Sequence, residues 1–223
     1  MWSIHSSCIG LTLLLALGQP VPKEDLRFIY VMEQGMDASC GMATVATALS
    51  LYWHIPVREA ELLAGLFPTG SEVEGRNNGT VSLVSMAAAF EGKGIAARAF
   101  RVDWDGLETI LARGYAPLVV HYDRPDPHFA LLLEISGDVA VLADPARGLE
   151  TLDRAGLEKR YSGVAMALAS HSGQRDNETL EAAIRAARGR RALLERVGMT
   201  HPGPGRASQP DPANPAGRMW PGW

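Results

Sequence analysis

Apolar and polar positions recur along this chain with two different periods, and the change from one to the other divides it. Met42, Val45, Ala46, Leu49, Tyr52 and Trp53 follow the three- and four-residue spacing of a single helical stripe. That helix is predicted to stop near His54-Ile55-Pro56, because proline biases the residue before it away from helical geometry. A second helix is expected over 57–66, with Leu62, Leu63 and Leu66 inward. A third is expected over 81–91, carrying Leu83, Val84, Met86, Ala87 and Phe90 and closed by Gly92-Lys93-Gly94. From there the period shortens. Residues 95–102 read as a strand, 104–113 as a short helix closed by Gly114, and 117–122 as a buried strand. Residues 128–135 and 139–143 read as two apolar strands joined by the turn Ser136-Gly137-Asp138. In the first of them Phe129, Leu131 and Leu133 face one side and Ala130 and Leu132 the other, the pattern of a sheet covered on both faces. A last strand is expected over 161–168, and residues 28–31 read as a leader strand. Helices first and an antiparallel sheet afterwards describe an α+β fold.

The chemistry concentrates where the first helix begins. Gln34-Gly35-Met36-Asp37-Ala38-Ser39-Cys40-Gly41 runs straight into the apolar stripe, which sets Cys40 at a helix N-terminus. The thiolate is the nucleophilic form of cysteine, and unpaired amides with the positive end of the helix dipole favour it. The same amides can hold an oxyanion, and the Gln34 side-chain amide, six residues earlier, can join the Cys40 backbone N–H as a second donor.

Gln-x5-Cys-Gly entering an apolar helix, with His128-Phe129-Ala130-Leu131 and Ala143-Asp144-Pro145 far downstream, resembles the bacteriocin-processing double-glycine peptidases, a papain-like cysteine peptidase family. The resemblance covers roughly residues 28–168. It implies the papain-like fold, helices packed on an antiparallel sheet, with Cys40 as nucleophile, His128 as base, Asp144 as its orienting partner and Gln34 in the oxyanion hole. Members of that family usually carry Asp before the cysteine; this chain has Ser39 there, with Asp37 two residues further back. The hairpin supports the assignment on its own terms. Strands folding back about Ser136-Gly137 bring His128 and Asp144 near each other at the same open end, where a carboxylate can fix the imidazole tautomer. His121, at the end of the preceding strand, has no acid in a comparable hairpin relation.

Composition then narrows the choices. The chain has 223 residues, 21 Lys and Arg against 25 Asp and Glu, and two cysteines. Residues 8–18 are apolar over a stretch too short for the ~20 residues that span a bilayer, and Ala16-Leu17-Gly18 has the small residues of a cleavage site. We therefore expect a signal peptide over 1–18 and a periplasmic or secreted bacterial protein with no transmembrane span in the mature chain. Cys8 would leave with the signal, and a lone thiol in an oxidising compartment is a liability unless it reacts. The peptidase domain is expected over 19–170. It is acidic, which argues against nucleic acid and favours cationic peptides as partners. An Arg-rich amphipathic helix follows in 171–200, and a Pro- and Gly-rich tail over 201–223 is expected to be disordered. No ligand spacing suggests a metal, and no cofactor is expected.

The reading is thus an exported cysteine endopeptidase that cuts after Gly-Gly in the leader or linker of a secreted polypeptide, with a separate exporter as partner. The alternative is a non-catalytic relative that binds leader peptides for a secretion system. A cell-wall amidase or transglutaminase-like acyl transferase would share Cys, His and Asp in that order but leaves Gln34 without a role.

Overall fold

Six strands, β1 (Ile95–Arg101), β2 (Leu118–Tyr122), β3 (His128–Ser136), β4 (Val139–Asp144), β5 (Gly148–Asp153) and β6 (Tyr161–Ser170), form one antiparallel sheet in the order β1-β6-β2-β3-β4-β5. The computed structural model describes residues 25–36, 39–66, 81–170 and 175–198. The expected signal peptide, residues 67–80, Asp37 and the Pro- and Gly-rich tail lie outside them. The helices are α1 (Cys40–Thr47), α2 (Glu59–Leu66), α3 (Leu83–Glu91), α4 (Trp104–Ala112), α5 (Arg154–Glu158) and α6 (Asn177–Arg196). Residues up to Arg188 form one compact unit and those from Gly189 a second.

The sheet is buried on both faces, as the apolar run of β3 predicts. Met42, Val45 and Leu49 from the α1 segment and Met86 and Phe90 of α3 meet Val119, Leu131, Leu133 and Met166 on one side. Trp104 and Leu107 of α4 and Leu157 of α5 meet Leu118, Val120, Leu132 and Leu142 on the other. Leu180, Ala183 and Ala187 of α6 add to the first of these cores. In the second unit Arg191 pairs with Glu195 at 2.7 Å.

Every residue of α1 is buried, including Thr44 and Thr47, and the segment widens into a π-helical turn over Ala48–Tyr52. Buried hydroxyls need partners. Thr44 Oγ1 donates to the Phe129 carbonyl at 3.2 Å, and Thr47 Oγ1 accepts the Met32 N–H at 3.0 Å. The first bond ties the start of α1 to β3 one residue from His128; the second anchors the chain that leads to Gln34.

That incoming chain corrects one expectation. Residues 28–31 do not form a strand. Asp25–Phe28 is a 3-10 turn, the Val31 N–H returns to the Phe28 carbonyl at 3.2 Å, and the Gln34 N–H goes to the Pro145 carbonyl at 3.0 Å. With these bonds made to its own turn, to α1 and to the β4–β5 turn, the segment has no sheet edge to join. Gly148 in that turn has φ +79, and a Cβ there would lie 2.6 Å from the Arg27 carbonyl oxygen, so the 3-10 turn seats directly on it. In α3 the helix starts at Leu83 behind a Ser82–Ser85 capping box, which turns Val84 outward to 80% exposure rather than into the core. The period also gave no sign of β5 and α5: Leu149 and Leu152 do not alternate, and α5 is one short turn capped by Asp153 through the Gly156 N–H at 2.7 Å.

Gly41 is where α1 meets α3. A Cβ on it would lie 2.6 Å from Val81 Cγ1 and 3.2 Å from Met86 Sδ. Gly41→Ala must push α3 away from the helix that carries Cys40, and overpacking of this kind costs about 1–3 kcal/mol. Thermal denaturation is expected to show a lowered Tm; an unchanged Tm would mean that the two helices separate freely.

Candidate active site

Cys40, His128 and Asp144 come from α1, β3 and β4, Gln34 comes from the chain that enters α1, and all four stand at one end of the sheet. Ser39 closes the loop before α1 rather than capping the helix by its side chain. Its Oγ donates to the Met36 carbonyl at 2.7 Å and accepts the Met36 N–H at 3.2 Å, while its own carbonyl takes the Ala43 N–H at 3.0 Å. This tight loop leaves Cys40 as the first helical residue, 8% exposed.

His128 and Asp144 meet through a fault in the hairpin. From the turn, Ser136 pairs with Val139, Ile135 with Ala140 and Glu134 with Val141; the register then slips, and Leu132 pairs with Leu142 and Leu131 with Ala143. A hairpin without the slip would set Asp144 opposite Leu131, on the face that holds α1. The bulge at Leu133 carries Asp144 into line with Ala130, and so onto the face of His128, because opposed residues share a face and alternate residues repeat it. A regular hairpin, as expected from the sequence, would have brought the two residues to the same end but set them on opposite faces.

His128 Nε2 lies 2.8 Å from Asp144 Oδ1. Asp144 is fully buried and accepts three further bonds. The Ala146 and Arg147 N–H groups reach Oδ1 at 2.8 and 3.1 Å, and Arg147 Nη1 reaches Oδ2 at 2.8 Å. Burial pushes its carboxyl upward, but the His128 hydrogen bond and charge, the Ala146 N–H and Arg147 outweigh it and hold the pKa below the ordinary aspartate value. Burial likewise pulls His128 down, and hydrogen bonds to Asp144 and Cys40 with their charges override it, raising the imidazole to about 9. With Nε2 turned to Asp144, Nδ1 is the nitrogen left for Cys40. Tyr122 stacks on the imidazole, centroids 5.9 Å apart.

Gln34 stands at the same end. Its side-chain Nε2 donates to the Met36 carbonyl at 3.1 Å, its backbone N–H is held by Pro145, next to Asp144, and the Gly35 N–H is held by Glu59 Oε2 at 2.9 Å. His121 lies one strand over from His128 and bonds to Ser162 instead of an acid, Nδ1 to Oγ 2.9 Å. Among the described residues no group of His, Cys, Asp and Glu could hold a metal ion, and no helix is long and apolar enough to cross a membrane.

Sequence reasoning missed several neighbours of these four. Arg147, three residues after Asp144 in the next turn, was within reach of a reading that asked what neutralises a buried carboxylate. Glu59 and Thr44 act across long sequence separations and left no local signal, and Tyr122 meets His128 through the β2–β3 pairing.

This arrangement can move a proton from a thiol to an imidazole held by a carboxylate, with amide donors nearby for an oxyanion. The model of the Peptidase C39 family matches residues 29–173, well over half of the chain. The chain belongs to the Peptidase C39 family. It is accordingly a cysteine peptidase in sequence and fold. It is similar to a Pseudomonas aeruginosa protein named probable functional amyloid protease FapD, 28% identical over 69% of this chain and 66% of that one. It is also similar to the Pseudomonas fluorescens protein of the same name, 27% identical over 70% and 67%. The chain thus spans about two thirds, and for the first just under two thirds, of the length of these relatives. Among solved structures, the peptidase domain of Streptococcus ComA, a bifunctional ABC transporter, superposes with a TM-score of 0.52 at 18% identity, covering 64% of this chain and 98% of that domain. That likeness shows the fold.

Asp144 supplies the charge that raises His128, so Asp144→Asn removes it. The deprotonation of His128 near 9 should then move down toward the ordinary value of 6.5, and the alkaline limb of kcat/KM with it. A pH–rate profile checks this; an alkaline limb unmoved in the variant would show that Asp144 does not govern the imidazole.

Proposed function

We propose that this protein is an exported cysteine endopeptidase that cleaves after a Gly-Gly pair in the leader or linker of a secreted polypeptide. Cys40 attacks the scissile carbonyl, His128 takes its proton and returns it to the leaving amine, Asp144 orients the imidazole, and Gln34 with the Cys40 N–H holds the oxyanion. The observation that carries the reading is the His128–Asp144 contact at 2.8 Å, with Cys40 near enough to the same ring to raise its pKa. A non-catalytic relative that only binds leader peptides would have no use for a buried carboxylate paired with that imidazole. Family membership and the Gln34-to-Cys40 spacing support the Gly-Gly specificity, and the apolar 8–18 stretch supports export. The names of the two relatives point to an amyloid-forming protein as substrate, and a separate exporter would hand it over.

In this mechanism the Gln34 side chain gives up its Met36 contact when substrate arrives. Gln34→Ala should lower kcat by about 10²–10³ with little change in KM, as loss of one oxyanion donor does elsewhere.

Glycine before the cut offers no side chain to grip, so a narrow channel can exclude any residue with a Cβ, and recognition energy has to come from an apolar leader segment. Cys40→Ala should abolish hydrolysis of a synthetic leader peptide ending in Gly-Gly. Replacing either glycine by Ala or Val should reduce kcat/KM more than tenfold, about 1.4 kcal/mol. Hydrolysis indifferent to those glycines would remove the double-glycine specificity, and turnover by Cys40→Ala would remove the mechanism.

A further inference from the structure

We propose that His121 is a substrate-binding residue of this site, a neutral imidazole whose Nε2–H donates to a backbone carbonyl of the peptide lying across the end of the sheet. The proposal rests on the peptidase reading above. His121 pairs with Phe129 across β2 and β3, immediately beside His128, and its ring leans on the Phe129 ring with centroids 4.8 Å apart. Alternation along β3 puts Phe129 on the side of the sheet that packs against α1, so His121 stands on the side from which Cys40 approaches.

Its orientation is built by an irregularity in β6. Tyr161 pairs with Tyr122 and Ala165 with Val120, so two steps on β2 are matched by four on β6, and residues 162–164 bulge. Gly163, at φ +81, makes the bend. Within it Ser162 Oγ accepts the Val164 N–H at 3.3 Å and sits 2.9 Å from His121 Nδ1. The hydroxyl can give or accept at Nδ1; we assign it as the donor, and a neutral imidazole that accepts at Nδ1 carries its own proton on Nε2. Burial and the neighbouring His128 both hold the ring below the usual histidine pKa, with Asp123 opposing, so it stays neutral. Among the described residues Nε2 has no hydrogen-bond acceptor, and the half-buried ring keeps that edge open. A fixed, uncharged donor one strand from the catalytic imidazole suits a carbonyl better than a carboxylate, and suits a substrate that has backbone and little else to offer near the cut.

The test compares His121→Phe, which keeps the ring and loses the donor, with His121→Gln, which restores an amide donor, on a synthetic leader peptide ending in Gly-Gly. We expect KM to rise about three- to tenfold in His121→Phe, the effect of one hydrogen bond, with kcat within about twofold of wild type. The peptide's Kd for the Cys40→Ala form should rise in parallel, and His121→Gln should recover most of the loss. Ser162→Ala, which removes the tautomer lock and leaves the ring, should fall between. Unchanged KM in His121→Phe, a loss confined to kcat, or a His121→Gln no better than His121→Phe would overturn the proposal. Iodoacetamide labelling of Cys40, followed on its own peptide by mass spectrometry, separates this from the larger reading. Labelling at an equal rate in wild type and His121→Phe is expected. Wild-type labelling that does not depend on His128, together with no hydrolysis, would overturn the peptidase mechanism, whereas intact labelling and hydrolysis with an unmoved KM would overturn only the role of His121.

Discussion

A carboxylate without access to water has to find a donor for each of its lone pairs, and Asp144 is in that position. An ionised group buried without partners costs several kcal/mol, enough to consume much of a domain's net stability. Here the donors are His128, two backbone N–H groups of the following turn and the Arg147 guanidinium. Meeting that demand shapes much of the surrounding structure. The β4–β5 turn is wound so that its amides converge on Oδ1, and the same turn presents the Pro145 carbonyl that holds Gln34 and the Gly148 surface on which the entering 3-10 turn rests. His128, Asp144 and the chain carrying Gln34 are therefore fixed by the residues from Asp144 to Gly148.

Cys40 is placed by a different constraint. Cys40 begins a helix buried on all sides, which can shift neither along the sheet nor away from it without unpairing Thr44 from Phe129 or opening the Gly41 contact with Val81. Rigidity at this point suits a reaction in which sulfur and imidazole must stay within reach of each other. Oppositely charged partners then reinforce each other: the hydrogen bonds that lower Asp144 and raise His128 are two views of one pairing, with Cys40 as the third member.

The sequence made much of this readable, and the exceptions have physical reasons. The helical stripe from Met42 to Trp53 and the two-faced run of β3 identify the layers because both periods are set by burial. The meeting of His128 with Asp144 could be anticipated from a hairpin around Gly137, but the slip at Leu133 that sets them on one face could not. A bulge adds no distinctive residue, and Leu133 looks like any other apolar strand position. Residues 28–31 have strand-like composition and form none: the Val31 N–H turns back to Phe28, and the residues that follow, Met32 and Gln34, are held by Thr47 and Pro145, partners distant in sequence. Val84 was misplaced because the Ser82 cap sets the phase of α3, and a one-residue change of phase turns a side chain by about 100°. His121 was set aside for lacking an acid; its partner, Ser162, is supplied by a bulge that leaves no pattern either.

The central claim is that the His128 imidazole is held as a cation between Cys40 and Asp144 at neutral pH. Following the His128 ring protons and nitrogens by NMR through a pH titration of the free protein measures this directly, with no substrate required. The account predicts an imidazolium that persists to about pH 9 with Nε2 hydrogen-bonded to the carboxylate. Titration near or below the ordinary 6.5 would contradict it.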